Sequence, residues 1–424
     1  MIKINSQISN LKPSATLAIN QKVKQLRDQG HTIYHFGFGQ SPFGVHPKIV
    51  DALMAHADNN NYLPSTGLPQ LRQNISCYLK KYHGVTADPN YIYIGPGSKE
   101  LLYQTILMLE GIFLIPQGSW VSYLPQIKSK GGEFAILKTY FENNYKITAL
   151  SLSNYCRVNP TGQKTLILNS PNNPTGAVYS PEELKSLSEV CEEHNIIVLS
   201  DEIYSLLNFQ NGRSASIGEY YPKKTILFGG LSKIFSAGGY RLGFMALPAE
   251  LEFTHQNFSS LFSETFSAVA SPIQHAACEA FSLDKEVLMG ISNNTKILKA
   301  IGKYVFDKLM AIGVKCTQPQ GGFYFMIDFE KYRAGFAKKQ LFTSEEIANY
   351  LLEKRGIALL PGTDFYFEGH VLNFRLAYVD FDGSIAAQGL IKNHVLDESF
   401  IQEYCPNIFH GVERLISLLG EMET

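Results

Sequence analysis

Lys233 is the residue of this 424-residue chain whose setting most favours covalent chemistry. It lies in Phe228-Gly-Gly-Leu-Ser-Lys-Ile-Phe-Ser-Ala-Gly-Gly-Tyr-Arg-Leu-Gly-Phe244, with Arg241 following. The apolar run Thr225-Ile-Leu-Phe228 reads as a buried strand and the glycines after Lys233 as a tight return. A lysine at the end of a buried strand loses hydration, which favours its neutral amine. Such an amine can attack a carbonyl and form a Schiff base. Taken alone, a loop lysine is more commonly a solvated surface residue. Asp201 ends the run Ile196-Ile-Val-Leu-Ser-Asp201. A carboxylate there is costly unless paired, although capping a helix is the plainer use. Arg375, inside Asn373-Phe-Arg-Leu-Ala-Tyr378, interrupts another apolar run. Its planar fork suits a carboxylate through two parallel hydrogen bonds, with a surface salt bridge as the alternative.

Two turns could hold ligand groups. In Tyr91-Ile-Tyr-Ile-Gly-Pro-Gly-Ser-Lys-Glu100 a strand gives way to a glycine turn and a helix start. Free backbone N–H groups there can cradle a phosphate, although an ordinary strand-to-helix turn reads the same way. The spacing fits neither a Walker A loop nor G-x-G-x-x-G. Asn169-Ser-Pro-Asn-Asn-Pro-Thr-Gly176 is built from turn formers, and its prolines stiffen it. Trp120, the only tryptophan, follows the apolar run Ile112-Phe-Leu-Ile115 in a loop. Packing is one use for it.

These residues need a scaffold. Between about residues 90 and 250, Tyr91-Ile-Tyr-Ile94, Ile112-Phe-Leu-Ile115, Thr165-Leu-Ile-Leu168, Ile196-Ile-Val-Leu199, Thr225-Ile-Leu-Phe228 and Gly243-Phe-Met-Ala-Leu247 read as strands. Their near-continuous hydrophobicity implies burial on both faces, as in a largely parallel sheet covered by helices. Helical stretches separate them, one opening at Pro181 with Ser180 as N-cap. This is α/β architecture, with ligands expected at the carboxyl ends of the strands. The two ends of the chain alternate less regularly. Helices around 297–310 and 344–355 accompany strand-like runs at 322–327 and 372–378. The expected division is a large domain over 45–285 and a smaller α+β domain from 1–44 and 286–424.

The net charge is −1, with 37 basic and 38 acidic residues, so nothing advertises nucleic acid or an anionic membrane as partner. Six scattered cysteines without a C-x-x-C pair argue against a disulfide framework or structural zinc. A reducing cytoplasm is the expected location. The opening Met1-Ile-Lys-Ile-Asn-Ser-Gln7 has no signal-peptide pattern, and no apolar run approaches membrane-spanning length.

In order and spacing, these segments resemble those of class I/II aminotransferases, the fold type I pyridoxal-phosphate (PLP) enzymes of the aspartate aminotransferase superfamily. The resemblance implies that Lys233 holds PLP as an internal aldimine and then shuttles the substrate α-proton. It implies that Asp201 faces the pyridinium nitrogen. Asn173, of the N-P-T-G match, and Tyr204, of the D-x-x-Y match, would reach the phenolic oxygen. Gly97, Ser98, Lys99, Ser232 and Arg241 would surround the phosphate, and Trp120 would stack on the ring. Arg375 and Asn173, with Gly39 of Phe36-Gly-Phe-Gly-Gln-Ser-Pro42, would hold the substrate. Tyr62, in Asn61-Tyr-Leu-Pro-Ser-Thr-Gly67, would reach the phosphate of a neighbouring subunit, making the enzyme a homodimer with shared sites. The implied reaction is ping-pong transfer of the amino group from an L-amino acid to a 2-oxo acid.

Two stretches depart from the family pattern. The usual S-x-S-K reads Gly230-Leu-Ser-Lys233 here, so one phosphate-binding serine is missing. Lys99 could compensate as an extra cation, or hold a substrate's distal carboxylate. The tract from Val379 to Cys405-Pro-Asn-Ile408 is longer than is common. The nearest rivals keep the cofactor and change the reaction: a C–S or β-lyase, a decarboxylase, or an aminocyclopropane-carboxylate-type synthase. A transcription regulator with an aminotransferase-like domain would need a DNA-binding module ahead of the pattern, which only about forty residues precede.

Overall fold

The computed structural model describes residues 2–9, 11–393 and 395–423. Its strands are β1 (Tyr34–His35), β2 (Ile92–Gly95), β3 (Ile112–Pro116), β4 (Glu133–Leu137), β5 (Lys164–Asn169), β6 (Ile197–Asp201), β7 (Thr225–Gly230) and β8 (Gly243–Ala246). Then follow β9 (Lys315–Cys316), β10 (Tyr324–Asp328), β11 (Ile357–Ala358), β12 (Leu360–Pro361) and β13 (Asn373–Ala377).

Seven strands form one sheet in the order β2-β8-β7-β6-β5-β3-β4. Pairing is parallel from β4 through β7, and β8 runs antiparallel to both its neighbours. The interior strands β5, β6, β7 and β8 are buried along their whole length because both faces are covered. Along β6, Ile197 and Leu199 enter one hydrophobic cluster and Val198 the other, as a period of two requires. Sequence reading missed β4: it is the edge strand, and its first residues, Glu133 and Phe134, are exposed. The register sets Asn169 beside Asp201 and Asp201 beside Phe228, at the carboxyl edge of the sheet.

The ends of the chain meet. β1 pairs in parallel with β11, joining residues 34–35 to 357–358. A four-stranded antiparallel sheet, β12-β13-β10-β9, carries Arg375. Helix Lys285–Ala311 begins twelve residues before the stretch read as helical; Asp284 caps it through the backbone N–H groups of Glu286 and Val287. Helix Ser344–Arg355 is stopped at Gly356 in the left-handed conformation and opened by a Thr343–Glu346 capping box. The long C-terminal tract forms helices Glu398–Tyr404 and Pro406–Glu421. The second buries Ile408, Val412, Leu415 and Leu419. They join a cluster that also holds Ile75, Leu227, Phe325 and Leu376, so one core runs from the large sheet into the small one.

Candidate active site

A cavity of about 460 Å³ opens at the carboxyl edge of the large sheet. Lys233, Asp201, Tyr204 and Asn173 line it, and Ser98, Lys99, Trp120, Ser232 and Arg241 border it. Gly39 and Arg375 close it from the side of the chain ends. Thus eleven of the thirteen residues singled out above share one wall. Gly97 lies just behind it: it precedes helix Ser98–Met108 with φ +93, and a Cβ there would come 2.3 Å from Arg241 Nη2. Tyr62 does not border the cavity and is 92% exposed.

Lys233 follows β7 and donates from Nζ to the Gly39 carbonyl at 2.5 Å. Part of its surface stays open to the cavity, but the desolvated Nζ, with the charges of Arg375 and Arg241 nearby, lowers its pKa to about 8. That places a reactive amine near neutral pH. Gly39 has no room for a side chain, since a Cβ would lie 2.1 Å from Tyr324 Oη. The Tyr324 hydroxyl donates to the Gly39 carbonyl at 3.2 Å and meets the Tyr204 hydroxyl at 3.1 Å. Burial keeps the Tyr204 hydroxyl protonated far into alkaline pH.

Asp201 is buried. Its Oδ2 accepts from the Tyr123 hydroxyl at 2.7 Å, while Oδ1 has no partner. Burial raises its pKa to about 6 against the hydrogen bonds from Tyr123 and the Ile203 backbone and the attraction of Lys233. No helix starts behind it: the next one is Ile217–Tyr220, so capping is not its use. The Asn169 amide donates to the Asp201 carbonyl at 2.7 Å, and its oxygen accepts from Asn173 N–H at 2.8 Å. One side chain thereby ties the end of β6 to the proline-rich turn.

Arg375 is wholly buried. Nη1 donates to Asn173 Oδ1 at 3.0 Å and Nη2 to the Gly37 carbonyl at 2.5 Å, while Nε has no partner. The guanidinium lies 4.6 Å from the centre of the Tyr324 ring. Among the described residues no carboxylate forms a salt bridge with it. Asp364 attracts it only from beyond salt-bridge reach, so the buried guanidinium still has charge to offer a carboxylate bound in the cavity.

At the other end, Lys99 Nζ lies 5.0 Å from the centre of the Trp120 ring, and burial beside Arg241 lowers its pKa. Arg241, at φ +51, bridges the Gly238 and Pro96 carbonyls at 3.0 and 3.2 Å. The missing serine has a steric counterpart. A Cβ at Gly230 would lie 2.7 Å from the Leu242 carbonyl oxygen and 2.8 Å from Gly243 Cα, so a serine would force β7 and β8 apart.

The profile described as aminotransferase class I and II matches residues 32–380. The chain belongs to this family. Aspartate aminotransferase of Geobacillus stearothermophilus is 34% identical over 386 residues, covering 89% of this chain and 94% of the relative. Asparagine–oxo-acid transaminase of Streptococcus mutans is 30% identical, covering 89% and 95%. In fold, the chain is similar to an aspartate aminotransferase from Thermus thermophilus solved with maleate, with TM-score 0.84, 24% identity and coverage of 98% and 100%. This chain is therefore an aminotransferase, of a family whose cofactor is PLP.

Several residues around the aminotransferase cavity escaped sequence reading. Asn169 stood inside a segment quoted above and Tyr123 three residues after Trp120, but nothing in their spacing marks them as partners of Asp201. Tyr324 reads as one more aromatic of an apolar strand. Ser14 and Thr16 reach the cavity from the N-terminal segment, which carries no motif of its own, and Phe38 from beside Gly39.

Proposed function

We propose that this aminotransferase binds PLP and moves the amino group of a dicarboxylic L-amino acid of the aspartate kind to a 2-oxo acid in ping-pong fashion. The observation that carries transamination of an amino acid is Arg375, a buried guanidinium whose Nε is free for an α-carboxylate; the dicarboxylic class is supported by the aspartate aminotransferases among the relatives. The free Asp201 Oδ1 fits a protonated pyridine nitrogen, and Ser98, Ser232 and Arg241 at the start of helix Ser98–Met108 fit a phosphate. Bound there, PLP supplies an electron sink for the bond broken at the substrate Cα.

The protein's own groups do the rest. Arg375 and Asn173 hold the α-carboxylate and fix which Cα bond faces Lys233. Lys233 Nζ would take the proton from the substrate Cα and hold it for return, a task suited to an amine titrating near 8. Asp201 keeps the ring nitrogen protonated. Tyr204 and Asn173 orient the phenolic oxygen, Trp120 covers the ring, and Gly39 lines the substrate side. Lys99, with Ser14 and Thr16 on the same wall, takes the distal carboxylate, a role supported by the substrates named for the relatives.

The domain division at residues 45 and 285 belongs to this proposal, as does a cytoplasmic homodimer in which the exposed Tyr62 serves the partner's site. Six free cysteines suit that compartment, and no helix among the described residues is long and apolar enough to cross a membrane.

The test is borohydride reduction of the protein mixed with PLP. Intact mass should gain one cofactor in the wild type and none in Lys233→Ala. In a separate, unreduced sample of holoenzyme, aspartate should bleach the visible band and release its oxo acid; ammonia or carbon dioxide instead would overturn transamination. Lys99→Met should keep PLP and lose about tenfold or more in kcat/KM for aspartate but not for alanine. A lowered PLP affinity would assign Lys99 to the phosphate.

A further inference from the structure

Behind Asp201 lies a second buried carboxylate that the chemistry above does not use. Glu202 follows Asp201 directly, and its backbone N–H donates to the Phe228 carbonyl at 2.9 Å, carrying the β6–β7 pairing one residue further. Successive side chains of an extended segment point to opposite sides. Asp201 faces the cavity and Glu202 faces helix Pro69–His83. Glu202 Oε1 accepts from the Ser200 hydroxyl at 2.8 Å and the Ser216 hydroxyl at 2.6 Å, and Oε2 meets Nδ1 of His83, the last residue of that helix. Both members of the pair are buried. The Tyr78 ring packs 5.1 Å from His83, and the Tyr78 hydroxyl bonds Ser205 Oγ at 2.9 Å.

The donors around Glu202 define its charge. Two hydroxyls and one imidazole N–H converge on the carboxylate, as an ionised group requires. One hydrogen then sits between Oε2 and Nδ1. No protein acceptor reaches His83 Nε2, so a second ring hydrogen would be a buried orphan. The neutral ring with hydrogen on Nδ1 fits, and the cluster carries one uncompensated negative charge beside Asp201. The titratable groups nearest to it are Asp201, His83 and Tyr78.

We infer that Glu202, held by His83, Ser200 and Ser216, is a positioning residue for Asp201: it fixes the end of β6 and makes Asp201 a stronger acceptor toward the cavity. The repulsion of Glu202 also contributes to the raised pKa of Asp201. This role rests on the reading that Asp201 meets the ring nitrogen of PLP. A negative charge behind that carboxylate favours the protonated ring.

The experiment uses holoenzyme loaded with PLP carrying ¹⁵N in the ring. Glu202→Gln keeps the shape and removes the charge. Its ring ¹⁵N resonance should move toward the unprotonated value, and kcat should fall about tenfold, the equivalent of one pKa unit. KM should stay within about twofold. His83→Asn keeps a donor at the Nδ1 position and should retain the wild-type resonance, while His83→Leu should move it. Should Glu202→Gln not fold, Ser216→Ala serves: Glu202 loses one of the two hydroxyls that hold Oε1, so its carboxylate is less well fixed behind Asp201 and the resonance should move the same way by less. An unmoved resonance in a variant that only melts earlier would make Glu202 a brace and overturn the inference. Failure of the wild type to bind PLP would overturn the cofactor reading, and this inference with it.

Discussion

Asp201 and Arg375 are the two buried charges of the cavity, and they are supported differently. Asp201 ends the central strand β6, with Asn169 and Phe228 beside it in register. Its carboxylate is held on one oxygen by Tyr123, and the other oxygen is left free. Arg375 sits on β13 between Met326 and Leu360. Its partners come from Gly37 and Asn173, far away along the chain. The carboxylate is thus placed by one continuous sheet, the guanidinium by three segments that meet only in the folded chain. A perturbation of the large sheet should act on the cofactor side, and one of the chain ends on the substrate side.

The sharpest way to probe this contrast is to remove the group between the two charges. Lys233→Ala should lower kcat by about a thousandfold or more while both charges stay in place, read by steady-state aspartate turnover. Arg375→Leu should cost about 2–5 kcal/mol in kcat/KM for aspartate and leave PLP affinity unchanged. Equal losses of PLP and aspartate binding would erase the distinction between the two ends.

Asp201 and Asp364, both raised by burial to a pKa of about 6, share one pH window, and substitution separates them. Burial raises the folded-state pKa of Asp201 from 3.8 to about 6, so between these values the folded protein holds a proton that the unfolded chain releases. Stability of the cofactor-free protein from this group is full below pH 3.8 and is lost as pH rises through 6, by about 3 kcal/mol. Melting temperature measured from pH 4 to 7 should show the decline, and Asp201→Asn should reduce it to the share left by Asp364. Lys233 acts on another window: its pKa is lowered to about 8, so its contribution to stability should rise between pH 8 and 10.5, read as the difference between wild type and Lys233→Ala. The smallest expected effect is that of Tyr123→Phe. Losing the donor to Oδ2 should move the midpoint of the acid-side decline up by about one pH unit. An unmoved midpoint would show that Tyr123 packs without tuning.

Legibility in the sequence followed the same contrast. Strands β2, β3, β5, β6, β7 and β8 were readable because burial on both faces, which extends even to β2 at one edge of the sheet, demands apolar runs, and helix Ser344–Arg355 because capping box and terminal glycine mark its ends. Edge strand β4, half-exposed and opening on Glu133, escaped. Lys233, Asp201, Asn173 and Arg375 could be picked out because charged or amide groups in apolar or proline-stiffened settings need a reason. Tyr123, Tyr324, Asn169 and Glu202 look like ordinary strand or turn residues, and only their hydrogen bonds distinguish them.

The order of residues along this chain determined its class, the family it joins and the polar side chains spent on chemistry, because those follow from local hydrophobicity, turn formers and motif spacing. The tertiary structure alone decided what each charge meets: that Arg375 is sheltered without a salt bridge of its own, that Gly230 is packed too tightly against Leu242 and Gly243 for a serine, and that Asp201 has a second carboxylate at its back. The reason is range. Propensity and periodicity act over a few residues, whereas desolvation and hydrogen bonding act between any groups that folding brings within a few ångströms.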